Sequence, residues 1–288
     1  MESITENINR IGRFTSSEIH NLLSVNVKKD GFGKPALTYI NEKRIERRLG
    51  RSIDVENNAK ALTWGKAVEK YVHEYHLPTS YSYCSSETIA HPEYGDFWAG
   101  SPDHIKYDEG TTVVDIKCPI TLKSFCTFAD LCDAKDNAVF PANVSIDYLD
   151  MLGKHPDGEK YYWQLVSNAI LLNAKYAELV VFCPYKKELQ SIRDFVSKID
   201  GDQAPYFWID RSRDSELPWI PDNGYYKNLY VFRFEVPESD KQLLTEKVKA
   251  AGLMLPKMLS WKSDVNRQAR VSWIVKMHRN LAPRFLPV

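Results

Sequence analysis

Apolar residues recur at helical spacing across Glu56–His76, where Ala61, Trp64, Val68, Tyr71, Val72 and Tyr75 follow a 3.6-residue repeat. The pattern predicts a long helix there. A second helix is expected over Pro35–Leu49, and a short one over Thr15–Leu23, opened by Thr and Ser as capping residues. Strand patterns follow at Tyr81–Ala90, Phe97–Tyr107 and Thr112–Cys118, and Asp108-Glu109-Gly110 signals a hairpin between the last two. A helix over Tyr161–Ala174, strands over Ala177–Pro184 and Tyr230–Val236, and a closing helix over Glu238–Met258 complete the pattern. Asp200–Asn228, rich in Pro, Gly and aromatics, reads as a long surface excursion. This order predicts an α/β fold with a mixed central sheet flanked by helices and an N-terminal helical decoration.

Two polar positions break the apolar strand Thr112–Cys118. Side chains alternate faces, so Val114 and Ile116 can pack into a core while Asp115 and Lys117 project together on the other face. The hairpin can return Asp103 beside them. Two carboxylates at that separation repel unless a cation lies between them, and hard oxygen ligands suit Mg²⁺ or Mn²⁺. The Ile116 carbonyl can complete an inner shell, and Lys117 can orient or deprotonate a metal-bound water for attack on phosphorus.

Glu69 lies four residues after Gly65 on the long helix. It either edges the buried face or reaches the metal, with Gly65 letting the helix approach the sheet. In YYWQLVSNAILL the polar positions Tyr161, Gln164, Ser167 and Asn168 form a narrow stripe. That stripe either faces solvent or aims an amide at a metal-bound water or a phosphate. His73 and His76, three apart without a third ligand, read as surface residues rather than a transition-metal pair.

Composition sets the frame for these readings. A chain of 288 residues with 43% hydrophobic and 26% charged residues can bury a full core as one ordinary globular domain. We expect a single domain over residues 1–288, with a core at about 10–185 and 229–258, insertions at about 134–159 and 200–228, and a basic C-terminal segment 257–288. No apolar run is long enough to span a bilayer, and MESITENINR lacks a signal-peptide pattern, so the expected location is cytoplasmic. Five cysteines without a C-x-x-C pair point to reduced thiols, and Cys118, Cys126 and Cys132 are too loosely spaced for a zinc or iron–sulfur site.

A net charge of zero argues at first against a nucleic-acid partner, but the distribution is uneven. Lys43, Arg44, Arg47, Arg48 and Arg51 crowd one segment, and the segment 257–288 carries seven Lys/Arg against the single acid Asp264. Between Ser85 and Lys160 fourteen acids face six lysines. Basic ends around an acidic middle suit a protein that grips phosphates at its periphery and cations at its centre. Ordinary solvated helix faces would give similar counts.

Pro102-Asp103 followed by Asp115-x-Lys117 resembles the PD-(D/E)xK nuclease superfamily. Four blocks, RIGRFTSSEIHNLL, NAKALTWGKAVE, AGSPDHI with VVDIKCPITLKSF, and YYWQLVSNAILL, are similar in order and spacing to the phage lambda-type alkaline exonucleases, the viral-recombinase branch. They cover most of residues 10–185. The resemblance implies a restriction-endonuclease-like core and a Mg²⁺-dependent exonuclease, with two ions and Mn²⁺ able to substitute. Such an enzyme degrades one strand of linear double-stranded DNA 5′ to 3′ to mononucleotides. The 3′ single-stranded tail it leaves serves recombination beside a single-strand annealing protein.

Carried over residue by residue, Asp103 and Asp115 are metal ligands with the Ile116 carbonyl, and Glu69 holds the second metal or a water. Lys117 and Gln164 flank the nucleophile. Arg10 and Ser17 hold a terminal 5′-phosphate, where a guanidinium and a helix start both favour anions. The resemblance also implies a toroidal homotrimer acting in a bacterial host for a phage or prophage, and no G-x-x-x-x-G-K-[ST] ATPase motif occurs. The chain departs from the family pattern at Asp115, usually glutamate, and at His104, commonly glycine. A structure- or site-specific endonuclease on the same core, or a non-catalytic DNA-binding protein with a decayed nuclease fold, are the competing expectations.

Overall fold

The computed structural model describes residues 9–26, 31–53, 59–84, 88–108, 110–137, 147–199 and 204–257. A two-residue strand β1 (Phe14–Thr15) runs into a 3₁₀ helix, Ser16–Leu23. Helix α1 (Lys34–Leu49) starts after Gly33 with Pro35 in its first turn and ends at Gly50, whose φ of 71° makes a left-handed cap. Helix α2 (Lys60–Tyr75) follows. Strands β2 (Tyr81–Tyr83), β3 (Ile89–Ala90), β4 (Trp98–Gly100), β5 (His104–Tyr107) and β6 (Thr111–Lys117) come next. Helix α3 (Leu122–Asp136) is capped by the Thr121 hydroxyl, which accepts the Ser124 N–H. Then come α4 (Tyr148–Gly153), α5 (Gly158–Leu172), β7 (Tyr176–Phe182), α6 (Leu189–Val196), α7 (Phe207–Arg211), β8 (Leu229–Glu235) and α8 (Glu238–Gly252).

The main sheet has the order β2-β5-β6-β7-β8, with β6 and β7 parallel and the other pairs antiparallel. Parallel neighbours need a crossover, and α3 to α5 supply it. Alternation then sorts the two faces. Val113, Leu179, Val181, Phe232 and Phe234 pack in one core with Phe125 and Phe128 of α3 and Leu165 and Val166 of α5. Val114, Ile116, Val180 and Phe182 pack in another with Trp64, Val68 and Tyr71 of α2 and Ile192 of α6. Helices therefore cover both faces of a mixed sheet, as the pattern predicts. A second sheet, β1-β4-β3, joins the N-terminal segment to this body through the parallel β1/β4 pair. Among the described residues no helix is long and apolar enough to cross a membrane.

Several sequence expectations need correction. Tyr81–Ala90 is not one strand: β2 belongs to the main sheet and β3 to the small one. Phe97–Tyr107 likewise divides into β4 and β5, which lie in different sheets. The second break falls at Ser101-Pro102-Asp103, because Pro102 has no N–H to donate to a ladder. Thr15–Leu23 is a 3₁₀ rather than an α-helix. Its entry is pinned by Thr15 N–H donating to the Tyr39 hydroxyl at 2.8 Å and by the Ser16–Ser167 hydroxyl pair at 2.8 Å. Asp200–Asn228 is not merely a surface excursion, since Ile209, Leu217 and Ile220 are buried and Trp208 donates to Thr63 Oγ1 at 2.8 Å.

The basic segment of α1 is also less free than its charge suggests. Lys43 is buried on Glu46, and Arg47 is buried against Asp96 Oδ2 at 2.9 Å, the Gly12 carbonyl at 2.7 Å and the Pro256 carbonyl at 2.7 Å. Residues 56–58, 85–87, 109, 138–146, 200–203 and 258–288 lie outside the described residues, and with them most of the expected basic C-terminal segment.

Candidate active site

The site forms where β6 outruns its neighbour. Strand β5 pairs with β6 up to His104↔Val114, so the next residue of β6, Asp115, has no ladder partner on that side. Asp103, just before β5, fills the gap: its Oδ2 accepts the Ile116 N–H at 2.7 Å. The turn at Pro102 thus swings a carboxylate onto the backbone of the strand that carries Asp115. The backbone carbonyl of Asp103 in turn accepts the Cys84 N–H at 2.9 Å.

Asp115 is fully buried. Gln164 on α5 donates from Nε2 to Asp115 Oδ1 at 2.7 Å, and the Lys117 ammonium forms an ion pair with Asp115 Oδ2. Among the described residues Oδ2 has no donor besides that ammonium. Burial works against the Lys117 ammonium, but Asp115 and Asp103 more than offset it and its pKa is raised. Lys117 is therefore charged, and it stands where a cation is needed.

Glu69 approaches from α2. Its carboxyl is pushed up to about 7 by burial, with Lys117 opposing the shift and Asp115 adding to it. Asp103 is raised well above the usual carboxylate range by burial and by the charges of Asp115 and Glu69. Glu69 and Asp103, both raised by burial and by neighbouring negative charge, mark a site short of positive charge. Gly65 does not bring α2 close, because a Cβ there would meet nothing within 4 Å. Ala67 and Val68, both buried, make that contact instead.

The carboxylates are collected but not closed. Among the described residues no three His, Cys, Asp or Glu side chains stand as a preformed metal cage. Asp115 is held by Lys117 and Gln164, and Asp103 by the Ile116 N–H. The donor chemistry nevertheless fits a hard divalent cation: oxygen ligands only, with one buried carboxylate oxygen held among the described residues by the Lys117 ammonium alone.

The polar stripe of α5 does not face solvent. Gln164, Ser167 and Asn168 are buried and Tyr161 half-buried. Ser167 Oγ lies 2.8 Å from Ser16 Oγ and accepts the Trp98 indole N–H at 3.0 Å. The stripe therefore runs from Asp115 towards the N-terminal segment. There Arg10 Nη2 donates to Ser17 Oγ at 3.3 Å, so the two residues expected to hold a phosphate do stand together.

His73 and His76 are not simply surface residues. His73 Nδ1 lies 2.8 Å from Nε2 of the buried His104, and Tyr83 packs on both rings. His76 Nε2 lies 3.0 Å from Glu188 Oε1. Burial, with His73 adding to it, lowers the His104 pKa to about 4, so that ring is neutral. Sequence reasoning noted His104 only as a departure at the position after Pro-Asp. The pairing with His73 depends on α2 lying over β5.

A family model described as the YqaJ-like viral recombinase domain matches residues 8–170. No curated protein matches the chain. Among solved structures, the chain is similar to LHK-Exo, an alkaline exonuclease from Laribacter hongkongensis, at 15% identity over 95% of this chain and 96% of that one, TM-score 0.47. The complex of LHK-Exo with dAMP gives 16% identity over 96% and 98%, TM-score 0.48. A phage-related exonuclease from Haemophilus somnus 129PT gives 13% over 91% and 99%, TM-score 0.48.

Proposed function

Because the chain belongs to the YqaJ-like viral recombinase family, we propose that it is a divalent-metal-dependent exonuclease. In this reading it digests one strand of linear double-stranded DNA from the 5′ end and leaves a 3′ single-stranded tail for recombination by strand annealing. The observation that carries the reading is the convergence of Asp103 and Asp115 at the end of β6, with the Lys117 ammonium on Asp115.

The carboxylates of Asp103 and Asp115 and the Ile116 carbonyl would hold Mg²⁺ or Mn²⁺, with Glu69 serving a second ion or a water. When bound, the metal supplies charge neutralisation on the phosphate and a lowered pKa for the attacking water. Gln164 fixes the orientation of the Asp115 carboxylate through its amide. Lys117, paired with Asp115 in the metal-free site, is placed to orient the nucleophile and to stabilise negative charge developing on phosphate oxygen. Arg10, with Ser17 beside it, provides a guanidinium and a hydroxyl for a terminal 5′-phosphate. The homotrimeric ring and the annealing partner belong to the same reading and rest on the family resemblance.

Digestion of end-labelled linear duplex with a 5′-phosphate, beside 5′-hydroxyl duplex and closed circles, tests this function. The expected result is Mg²⁺-dependent release of mononucleotides from the phosphorylated end, with circles intact. Nicking of circles would replace the exonuclease by an endonuclease on the same core. No cleavage of any substrate would leave a DNA-binding protein.

A further inference from the structure

The Lys117 ammonium has two partners of different kinds. It forms an ion pair with Asp115 Oδ2 and lies 5.0 Å from the centroid of the Tyr161 ring. Tyr161 sits on α5 one turn before Gln164, so both residues reach the same carboxylate neighbourhood. The Tyr161 ring is held from behind. It stacks on Phe128 of α3, with centroids 5.7 Å apart and planes at 28°, and Phe128 stacks on His155 at 3.7 Å and 22°. His155 is itself fixed, because Nδ1 accepts the Asp157 N–H at 3.0 Å and Nε2 lies 2.9 Å from Ser124 Oγ. An accepting Nδ1 places the proton of the neutral ring on Nε2, which then donates to Ser124.

We infer that Tyr161 is a positioning residue: it offers the Lys117 ammonium a second seat, so that Lys117 stays beside the carboxylates when a divalent cation takes Asp115. The inference rests on the metal-dependent reading above. In the structure the ammonium occupies Asp115 Oδ2, the oxygen a cation would need. Two positive charges do not share one carboxylate oxygen at low cost, so the ammonium must yield. An aromatic face attracts a cation through its quadrupole and carries no net charge to compete for the metal. The stack through Phe128 and His155 holds that face in place before the exchange, which lowers the ordering cost. With an aliphatic side chain the ammonium would keep only the carboxylates, which the incoming cation also needs, and would be displaced without compensation.

Mn²⁺ binding, measured by electron paramagnetic resonance on the full chain without DNA, tests the inference. The proteins compared are the parent, Tyr161→Phe, Tyr161→Leu, Lys117→Met and the Tyr161→Leu/Lys117→Met double variant. Tyr161→Leu is expected to weaken Mn²⁺ binding about 3- to 10-fold. Tyr161→Phe is expected to bind as the parent does. In the Lys117→Met background, Tyr161→Leu is expected to change nothing.

Equal weakening in both backgrounds would mean a merely structural ring and would overturn the inference, as would unchanged binding by Tyr161→Leu. A second readout needs no variant to fold. In the parent, the ε-methylene protons of Lys117 are expected to shift upfield on Mg²⁺ addition as the ammonium settles over the ring, and an unmoved resonance overturns the inference. If the parent binds no Mn²⁺, the metal reading falls together with it. Normal binding without coupling removes only the role of Tyr161.

Discussion

Asp103 Oδ2 accepts the backbone N–H of Ile116 at 2.7 Å, so one acidic group of the site is anchored to the strand that bears the other. An asparagine can keep that hydrogen bond through its carbonyl oxygen while losing the negative charge. Asp103→Asn is therefore expected to fold with an unchanged or slightly raised Tm, because repulsion from Asp115 and Glu69 is relieved. Its Mg²⁺-dependent cleavage is expected to fall by about 100-fold or more. Calorimetry and end-label release on the same preparation check both halves.

On the proposed metal-dependent reading, a proton and a metal compete at Glu69. Its carboxyl is raised from the ordinary 4.5 to about 7, so between those values the folded chain holds a proton that the unfolded chain has released. That contribution to stability is full below the lower value and is lost as pH rises through the upper one. A divalent cation binds the deprotonated form. The difference in Tm between Mg²⁺-loaded and metal-free protein is thus expected to grow steadily from about pH 5 to about pH 8. Thermal scans across that range at fixed ionic strength check it.

Gly100 ends β4 three residues before Asp103 and lies against the polar stripe. A Cβ there would collide with Ser16 Oγ and stand 2.6 Å from both Asn168 Oδ1 and Leu171 Cδ1. Gly100→Ala is expected to cost about 1–3 kcal/mol in urea unfolding. It is also expected to reduce the preference for 5′-phosphorylated over 5′-hydroxyl ends, because Ser16 and its neighbour Ser17 shift together.

Away from the site, the buried Glu178 accepts from the Tyr81 hydroxyl at 2.7 Å and pairs with Arg233 at 2.9 Å and Lys106 at 3.2 Å. Glu178→Leu leaves these donors short of an acceptor, and Asp108 compensates only in part through its own contacts with Arg233 and Lys106. The expected loss is about 3 kcal/mol of stability. Cleavage by the folded fraction is expected to stay at the parent rate, which activity normalised to folded protein checks.

Strand β6 and its Asp115-x-Lys117 were legible because alternation states which residues share a face, and Pro102-Asp103 marks its own turn. The switch of sheets at Pro102 was not legible. Trp98–Gly100 and His104–Tyr107 both look like strand, and only the distant partners Phe14 and Val114 decide which sheet each joins. The burial of Ser167 was hidden for a similar reason: a serine on a helix is satisfied as well by Ser16 and Trp98 as by water. Arg47 read as surface charge because its partner Asp96 is recognisable only once α1 is packed, and Lys43 did so because the burial of its i,i+3 pair with Glu46 is not written in the spacing. Helix α3 was missed by the sequence reading, although Phe125, Phe128, Ala129 and Cys132, all buried, recur at helical spacing.

On the proposed function, Asp103, Asp115 and Glu69 gather around a divalent cation. Anomalous diffraction from a crystal soaked in Mn²⁺ tests it most directly. The expected result is a manganese peak within coordination distance of carboxylate oxygens of Asp103 and Asp115, with the Lys117 ammonium moved off Asp115 Oδ2. A well-ordered site with no peak between those carboxylates, and Lys117 still paired with Asp115, would contradict it.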